Sequence, residues 1–183
     1  PVVAGAPRLE RLCTGARWSE GPVWLAEDDS VLWSDIPNNR MLRWSERDGM
    51  RVWRERVEFT NGHTRDLDGS LLHCSHGLRA VFRTAPDGSG QRIVVDRWQG
   101  KRFNAPNDIV VKSDGTLWFT DPPYGLVIPE EGHGGVSEIG DSLVFRHDPR
   151  TGALDPVTDL PIEPNGLAFS PDESVLYVSD TSA

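Results

Sequence analysis

The chain has 183 residues, of which 37% are hydrophobic and 26% charged, a balance that suits a soluble globular protein with one well-buried core. Its net charge of −9 and lack of any basic cluster argue against nucleic acid and anionic membranes as partners, because both need a positive face. No apolar run approaches membrane length and no signal peptide is visible. The first residue is not Met, so the expected location is cytoplasmic, or periplasmic if a leader was removed. The two cysteines, Cys13 and Cys74, show no metal-ligand spacing and read as reduced thiols, with a disulfide between them left open.

In chain order, one phrase is spoken four times: oxygen-bearing residue, apolar strand, Asp-rich turn, second apolar strand, polar end. The copies span 20–35, 61–76, 107–121 and 165–180, so their first positions are spaced by 41, 46 and 58 residues. Periods near forty with paired short strands point to a β-propeller. Val, Ile, Leu, Trp and Phe in runs of four to six, bounded by turns such as Asp68-Gly69 and Asp114-Gly115, favour strands over a helical repeat. Third and fourth strands are predicted over 41–44 and 51–53, then over 81–84 and 92–95, with 143–146 playing the third-strand part in the next blade. Residues 122–141, rich in Gly, Pro and Glu, interrupt the third blade between its second and third strands, and read as a lid or rim loop over the channel mouth. The expected fold is all-β, a single propeller domain over 1–183 that supplies roughly three and a half blades. The remaining blades are then expected from a truncated or split sequence, or from a complementary chain.

Glu20, Asn61, Asn107 and Asn165 open the four copies. First strands line a propeller channel, so these residues should converge near the axis. One carboxylate and three amides are hard oxygen donors, suited to Ca²⁺ and a poor match to copper or zinc. Each Asn-Gly or Glu-Gly-Pro also turns the chain for backbone reasons alone, and that alternative stays open copy by copy. Asn61 is the weakest member and is expected behind the metal ligands. Asp35, Asp121 and Asp180 end three copies and read by default as caps on nearby backbone donors, with Asp121 the candidate exception because the insertion follows it. Arg102, Asn104, Asp108 and Tyr124 surround the third copy, and Arg102 and Asn104 could meet a sugar hydroxyl or carboxylate. The five histidines show no metal spacing, and no Gly-x-Ser-x-Gly motif supports a serine hydrolase. His76, at the end of the second copy, could face the channel, but a surface or packing role is the expected reading ahead of catalysis.

The phrases over 18–24, 32–44, 61–66, 101–125 and 164–172, above all Phe103-Asn-Ala-Pro-Asn-Asp108 running on to Trp118-Phe-Thr-Asp-Pro-Pro-Tyr-Gly125, resemble the gluconolactonase or regucalcin (senescence marker protein) family from about residue 9 onward. The resemblance implies a six-bladed propeller with a divalent cation on the axis, usually Ca²⁺, with Zn²⁺, Mg²⁺ and Mn²⁺ as other candidates. It matches Glu20, Asn107 and Asn165 to metal ligands, and Arg102, Asn104, Asp121 and Tyr124 are grouped as the substrate-binding set. The family's general-base Asp, from a later Pro-Asp-Gly phrase, has no counterpart here and is expected beyond residue 183. The implied activity is hydrolysis of a sugar lactone such as glucono-1,5-lactone, in which the cation polarises the ester carbonyl for attack by water. The alternatives are an organophosphate hydrolase of the same architecture, and a non-catalytic binding propeller with a structural metal.

Overall fold

Short runs of β-branched and aromatic residues, several of them joined by Asp-containing turns, fold as antiparallel strands in the computed structural model, which describes residues 8–182. The first sheet is β1 (Ser19–Leu25), β2 (Ser30–Asp35), β3 (Arg40–Ser45) and β4 (Gly49–Glu55), paired in sequence order, with a 3-10 turn over Ile36–Asn38. The second is β5 (Thr60–Arg65), β6 (Leu71–Ser75), β7 (Ala80–Thr84) and β8 (Arg92–Val95). A small pair, β9 (Arg97–Trp98) and β10 (Lys101–Arg102), leads to the third sheet: β11 (Ile109–Val111), β12 (Leu117–Asp121), β13 (Leu143–Asp148) and β14 (Ala153–Thr158). The hairpin β15 (Pro164–Phe169) and β16 (Leu176–Asp180) follows. The chain is all-β apart from one helical turn, α1 (Tyr124–Val127), which sits in the insertion between β12 and β13 where no helix was expected. No helix among the described residues is long and apolar enough to cross a membrane.

The same side-chain device closes the first hairpin of each sheet apart from the small β9–β10 pair. Asp28, Asp68, Asp114 and Asp172 each accept from the Ser or Thr hydroxyl two residues on, at 2.6–2.9 Å, and the last three also accept that residue's backbone N–H. Such an Asx turn offers the backbone a ready reversal between two strands.

The core lies between sheets rather than inside any one of them. Leu25, Leu32 and Met41 of the first sheet pack on Leu71 and Phe82 of the second. Leu72, Cys74 and Val81 of the second pack on Ile109, Leu117, Phe119 and Phe145 of the third. There Phe119 stacks on Phe145 at 5.4 Å, and Phe103 meets both rings edge-on at 5.1–5.2 Å. Each sheet thus buries a face only by having a neighbour, and the first strands β1, β5, β11 and β15 succeed one another along a shared line. This is the arrangement of propeller blades.

Candidate functional site along the blade axis

Asn61 and Asn165 lie within the same irregularity of the ladder, and Glu20 stands at the edge of its counterpart. In β1, β5 and β15 the pairing with the next strand slips between Glu20 and Val23, between Thr60 and His63, and between Pro164 and Leu167. A bulge re-aims the side chain it carries, which is why such features gather beside functional sites. The third copy is one residue shorter, so regular pairing starts only at Ile109, and Asn107 instead donates its N–H to Thr120 O at 2.9 Å.

Adjacent copies are stitched through the backbone carbonyls of these residues. Ser34 Oγ donates to Asn61 O at 2.8 Å, Gly62 N to Asn107 O at 2.7 Å, and Thr120 Oγ1 to Asn165 O at 2.8 Å. The β5–β11 approach is so close that a Cβ on Gly62 would stand 2.5 Å from Asn107 O, so no side chain fits there. The three asparagine carbonyls are thus engaged sideways, and the four side chains line the space along the shared line.

The four side chains border two cavities at once. One, of about 250 Å³, opens toward the insertion and is walled by Trp18, Ile36, Tyr124, Ile128, Glu131 and Thr181. The other, of about 300 Å³, runs along the first strands past Pro22, His63, Thr64 and Asp108. Glu20, Asn61, Asn107 and Asn165 line both, so they form the waist between them. Trp18 Nε1 donates to Glu20 Oε1 at 3.0 Å and steadies that carboxylate.

Two further acids share this space. Asp108 is pushed up to about 6 by burial, against hydrogen bonds from the Ile109 and Leu167 N–H groups, and with the nearby Glu20 charge adding to the rise. Glu131, 5% exposed, is raised by burial and by Glu20 and Glu130. No group of three or more His, Cys, Asp or Glu side chains among the described residues is arranged to hold a metal ion. Any ion at the waist would therefore rest on Glu20 and amide oxygens, a donor set that fits a hard cation and suits copper or zinc poorly.

The expected substrate-binding set does not stay together. Tyr124 lines the upper cavity, and its hydroxyl bonds Thr181 Oγ1 and donates to Glu163 O at 3.2 Å. Arg102, Asn104 and Asp121 lie outside the cavity lining. Arg102 donates from Nη2 to Leu78 O at 3.2 Å, and its N–H reaches Glu138 Oε2 at 2.8 Å. Asn104 Nδ2 donates to Asp121 O at 3.1 Å and to Asp141 O at 2.8 Å, and its Oδ1 accepts from Ser137 Oγ at 2.5 Å. It thus ties together the two roots of the insertion. Asp121, 0% exposed, accepts the Asn104 and Ala105 N–H groups at 2.9 Å each, so it is a cap like Asp35 and Asp180 rather than the exception. Burial pushes its carboxyl up to about 7, against those two hydrogen bonds. Asn61, expected behind the ligands, stands in the waist itself.

Sequence reasoning allowed His76 to face the channel but ranked it as a surface or packing residue, and it is buried beside the waist. Its Nδ1 lies 3.0 Å from Glu131 O, and its Nε2 lies 3.3 Å from Asn61 Nδ2 and 3.4 Å from Asn107 Nδ2. The available signal was its register: it stands where the other copies carry Asp. His63 was passed over. Ser34 spends its one proton on Asn61 O, so it accepts from His63 Nε2–H at 2.8 Å, and His63 Nδ1 then accepts from His73 Nδ1–H at 2.8 Å. Thr84 closes the chain by donating to His73 Nε2 at 2.9 Å. Both imidazoles are held neutral by burial, His63 down to about 3.

This assembly has known counterparts. A gluconolactonase of Zymomonas mobilis is 36% identical over 186 residues, a match covering 94% of this chain and 51% of that protein. A structure of a gluconolactonase from Xanthomonas campestris superposes with a TM-score of 0.85 at 44% identity, over 91% of this chain and 55% of that one. A calcium-binding regucalcin from Agrobacterium tumefaciens, at 18% identity and a TM-score of 0.66, shares the fold, over 92% of this chain and 52% of that one. This chain therefore spans about half the length of these relatives. The family profile described as the SMP-30/Gluconolactonase/LRE-like region matches residues 18–183, nearly the whole sequence from the first bulge residue's neighbour onward. With bulge-borne oxygens, blade-like sheets and this match in agreement, the chain belongs to the SMP-30/gluconolactonase/LRE-like family.

Proposed function

We propose that this chain forms part of a six-bladed propeller that hydrolyses a sugar lactone, with a divalent cation, calcium first, held by Glu20, Asn107 and Asn165 and flanked by Asn61. The observation that carries this reading is the waist: four oxygen-bearing side chains from four successive copies border the same two cavities. The similarity to gluconolactonases supports the substrate class. When bound, such a cation supplies Lewis-acid polarisation of an ester carbonyl.

The chain's own residues do the rest. Glu20 contributes the one formal charge, and the amides add oxygen without cancelling more of the cation's charge. Trp18, Ile36 and Ile128 give the upper cavity apolar walls that hold a ring and limit water. Tyr124, anchored on Glu163 O and Thr181, fixes the insertion over that cavity as its lid. Proton transfer from the attacking water falls to a carboxylate, which the family resemblance assigns to a Pro-Asp-Gly phrase outside this sequence. The remaining blades would pack against the exposed Tyr177 on β16 and Trp24 on β1, which are 62% and 47% exposed.

Calcium titration alongside assays on glucono-1,5-lactone and a phosphotriester tests the reading. Glu20→Gln should cut calcium affinity and lactone kcat/KM by more than the roughly 10–100-fold typical of losing an outer-shell partner. Full lactonase rates in Glu20→Gln after exhaustive chelation would refute it.

A further inference from the structure

His76 lies sealed between the insertion and the waist, and its two nitrogens face groups of opposite kind. Nδ1 stands 3.0 Å from the backbone carbonyl of Glu131, which can only accept, so Nδ1 carries the proton. The ring is fully buried, and the atoms nearest Nε2 are the side-chain nitrogens of Asn61 and Asn107, which only donate, so Nε2 accepts and carries no proton. They stand at 3.3 and 3.4 Å. Both amides thus turn their NH₂ groups to His76 and their oxygens away from it. Arg79 Nη2 is the one sealed side-chain polar atom without a partner among the described residues, and neither amide oxygen accepts a hydrogen bond there. The oxygens of Asn61 and Asn107 therefore open on the cavities that these residues line.

We infer that His76 is a positioning residue: its Nδ1-protonated ring sets the Asn61 and Asn107 amides so that both oxygens face the axis, where a hard cation needs them. This rests on the cation reading proposed above. Without that acceptor either amide could turn over and present N–H to the ion, which repels it. The insertion locks the ring in place. Gly125 packs so tightly on His76 that a Cβ there would stand 2.6 Å from the His76 Cβ, and Glu131 supplies the carbonyl that selects the tautomer. The lid and the waist are thus coupled through one imidazole.

Two substitutions split the imidazole into its halves. Gln at position 76 can place an acceptor near the site of Nε2 while giving up the Glu131 contact. Asn keeps a donor near the site of Nδ1 and gives up the acceptor. In calcium calorimetry, His76→Asn and His76→Leu should weaken binding by about 10–100-fold, the usual cost of an outer-shell partner, and His76→Gln should stay close to the unsubstituted protein. Retained affinity in His76→Asn together with loss in His76→Gln would overturn the inference and leave His76 as a seat for the insertion only. The long-range ¹H–¹⁵N spectrum of the unsubstituted, calcium-free protein gives a second readout that no failed variant can block. A proton on Nδ1 supports the assignment, and a proton on Nε2 overturns it. Because this spectrum needs no cation, a protein that takes up no calcium yet shows Nδ1-protonated His76 would sink the cation reading and leave the amide orientation standing.

Discussion

At the end of their second strands the first, third and fourth copies carry Asp35, Asp121 and Asp180, whereas the second carries His76. Each Asp reaches back to pin the segment that enters its own sheet: Asp35 accepts the Arg17 and Trp18 N–H groups, Asp121 those of Asn104 and Ala105, and Asp180 those of Ile162 and Glu163, at 2.9–3.3 Å. In the second sheet backbone bonds do this work, with His76 N donating to Phe59 O at 3.1 Å and Gly77 N to Glu58 O at 2.9 Å. The side chain at that register is thereby released, and it turns toward the axis. A repeat position that departs from its rule where the rule's job is done by other means marks the place where function has entered the scaffold.

The comparison can be broken most sharply at Asp121. Asp121→Ala leaves two buried N–H groups unpaired at about 1–3 kcal/mol each, so urea unfolding should show a loss of about 3 kcal/mol or more. A loss within the scatter of the measurement would mean that the pinning is ornamental. The carboxyl of Asp121 also sets a pH dependence. Its folded-state value lies near 7, above the ordinary 3.8, so the folded state disfavours the ion. Stability should therefore be highest below about 4 on this account and decline as pH rises through about 7, and Asp121→Asn should flatten that decline in urea midpoints across pH.

The next largest effect is expected on the other side of the comparison. Gly125→Ala overpacks the insertion on His76 and should cost about 1–3 kcal/mol, with calcium affinity falling alongside. Unchanged affinity at reduced stability would uncouple the insertion from the waist. Ser34→Ala removes the stitch to Asn61 O and orphans the buried His63 Nε2–H, for about 1–2 kcal/mol in urea unfolding. The smallest effect belongs to Asp180→Ala. Its carboxyl, held down to about 2 first by the Ser182 N–H and then by that of Ile162, stands in solvent, and its midpoint should barely move. Any stability it lends is present above about 4 and lost as pH falls through about 2, the reverse of Asp121.

Much of this was legible in the sequence because it repeats. Period-two apolar runs and Asp-containing turns marked the hairpins, and the in-register oxygens of Glu20, Asn61, Asn107 and Asn165 marked the waist. Arg102 and Asn104 misled because nearness in sequence to Asn107 was taken as nearness in space, and Asp121 because the insertion follows it directly. Asn104 and Asp121 instead bond each other's segments at the roots of the insertion. Ser34 and Thr120 looked like generic polar strand ends, since their partners lie in the following copy, 27 and 45 residues away. His76 was ranked too low and Glu131 was hidden for a different reason. One is an exception within the repeat and the other belongs to a segment with no period at all.

The stitches from Ser34, Gly62 and Thr120 end on the carbonyls of the same asparagines whose side chains border the cavities. The seams between neighbouring sheets and the proposed grip on an ion would therefore be drawn from one set of residues. Filling the centre should tighten the whole ring, so thermal resistance would climb with free calcium as the logarithm of its concentration over Kd. A loosened seam would in turn announce itself first as a weaker hold at the middle.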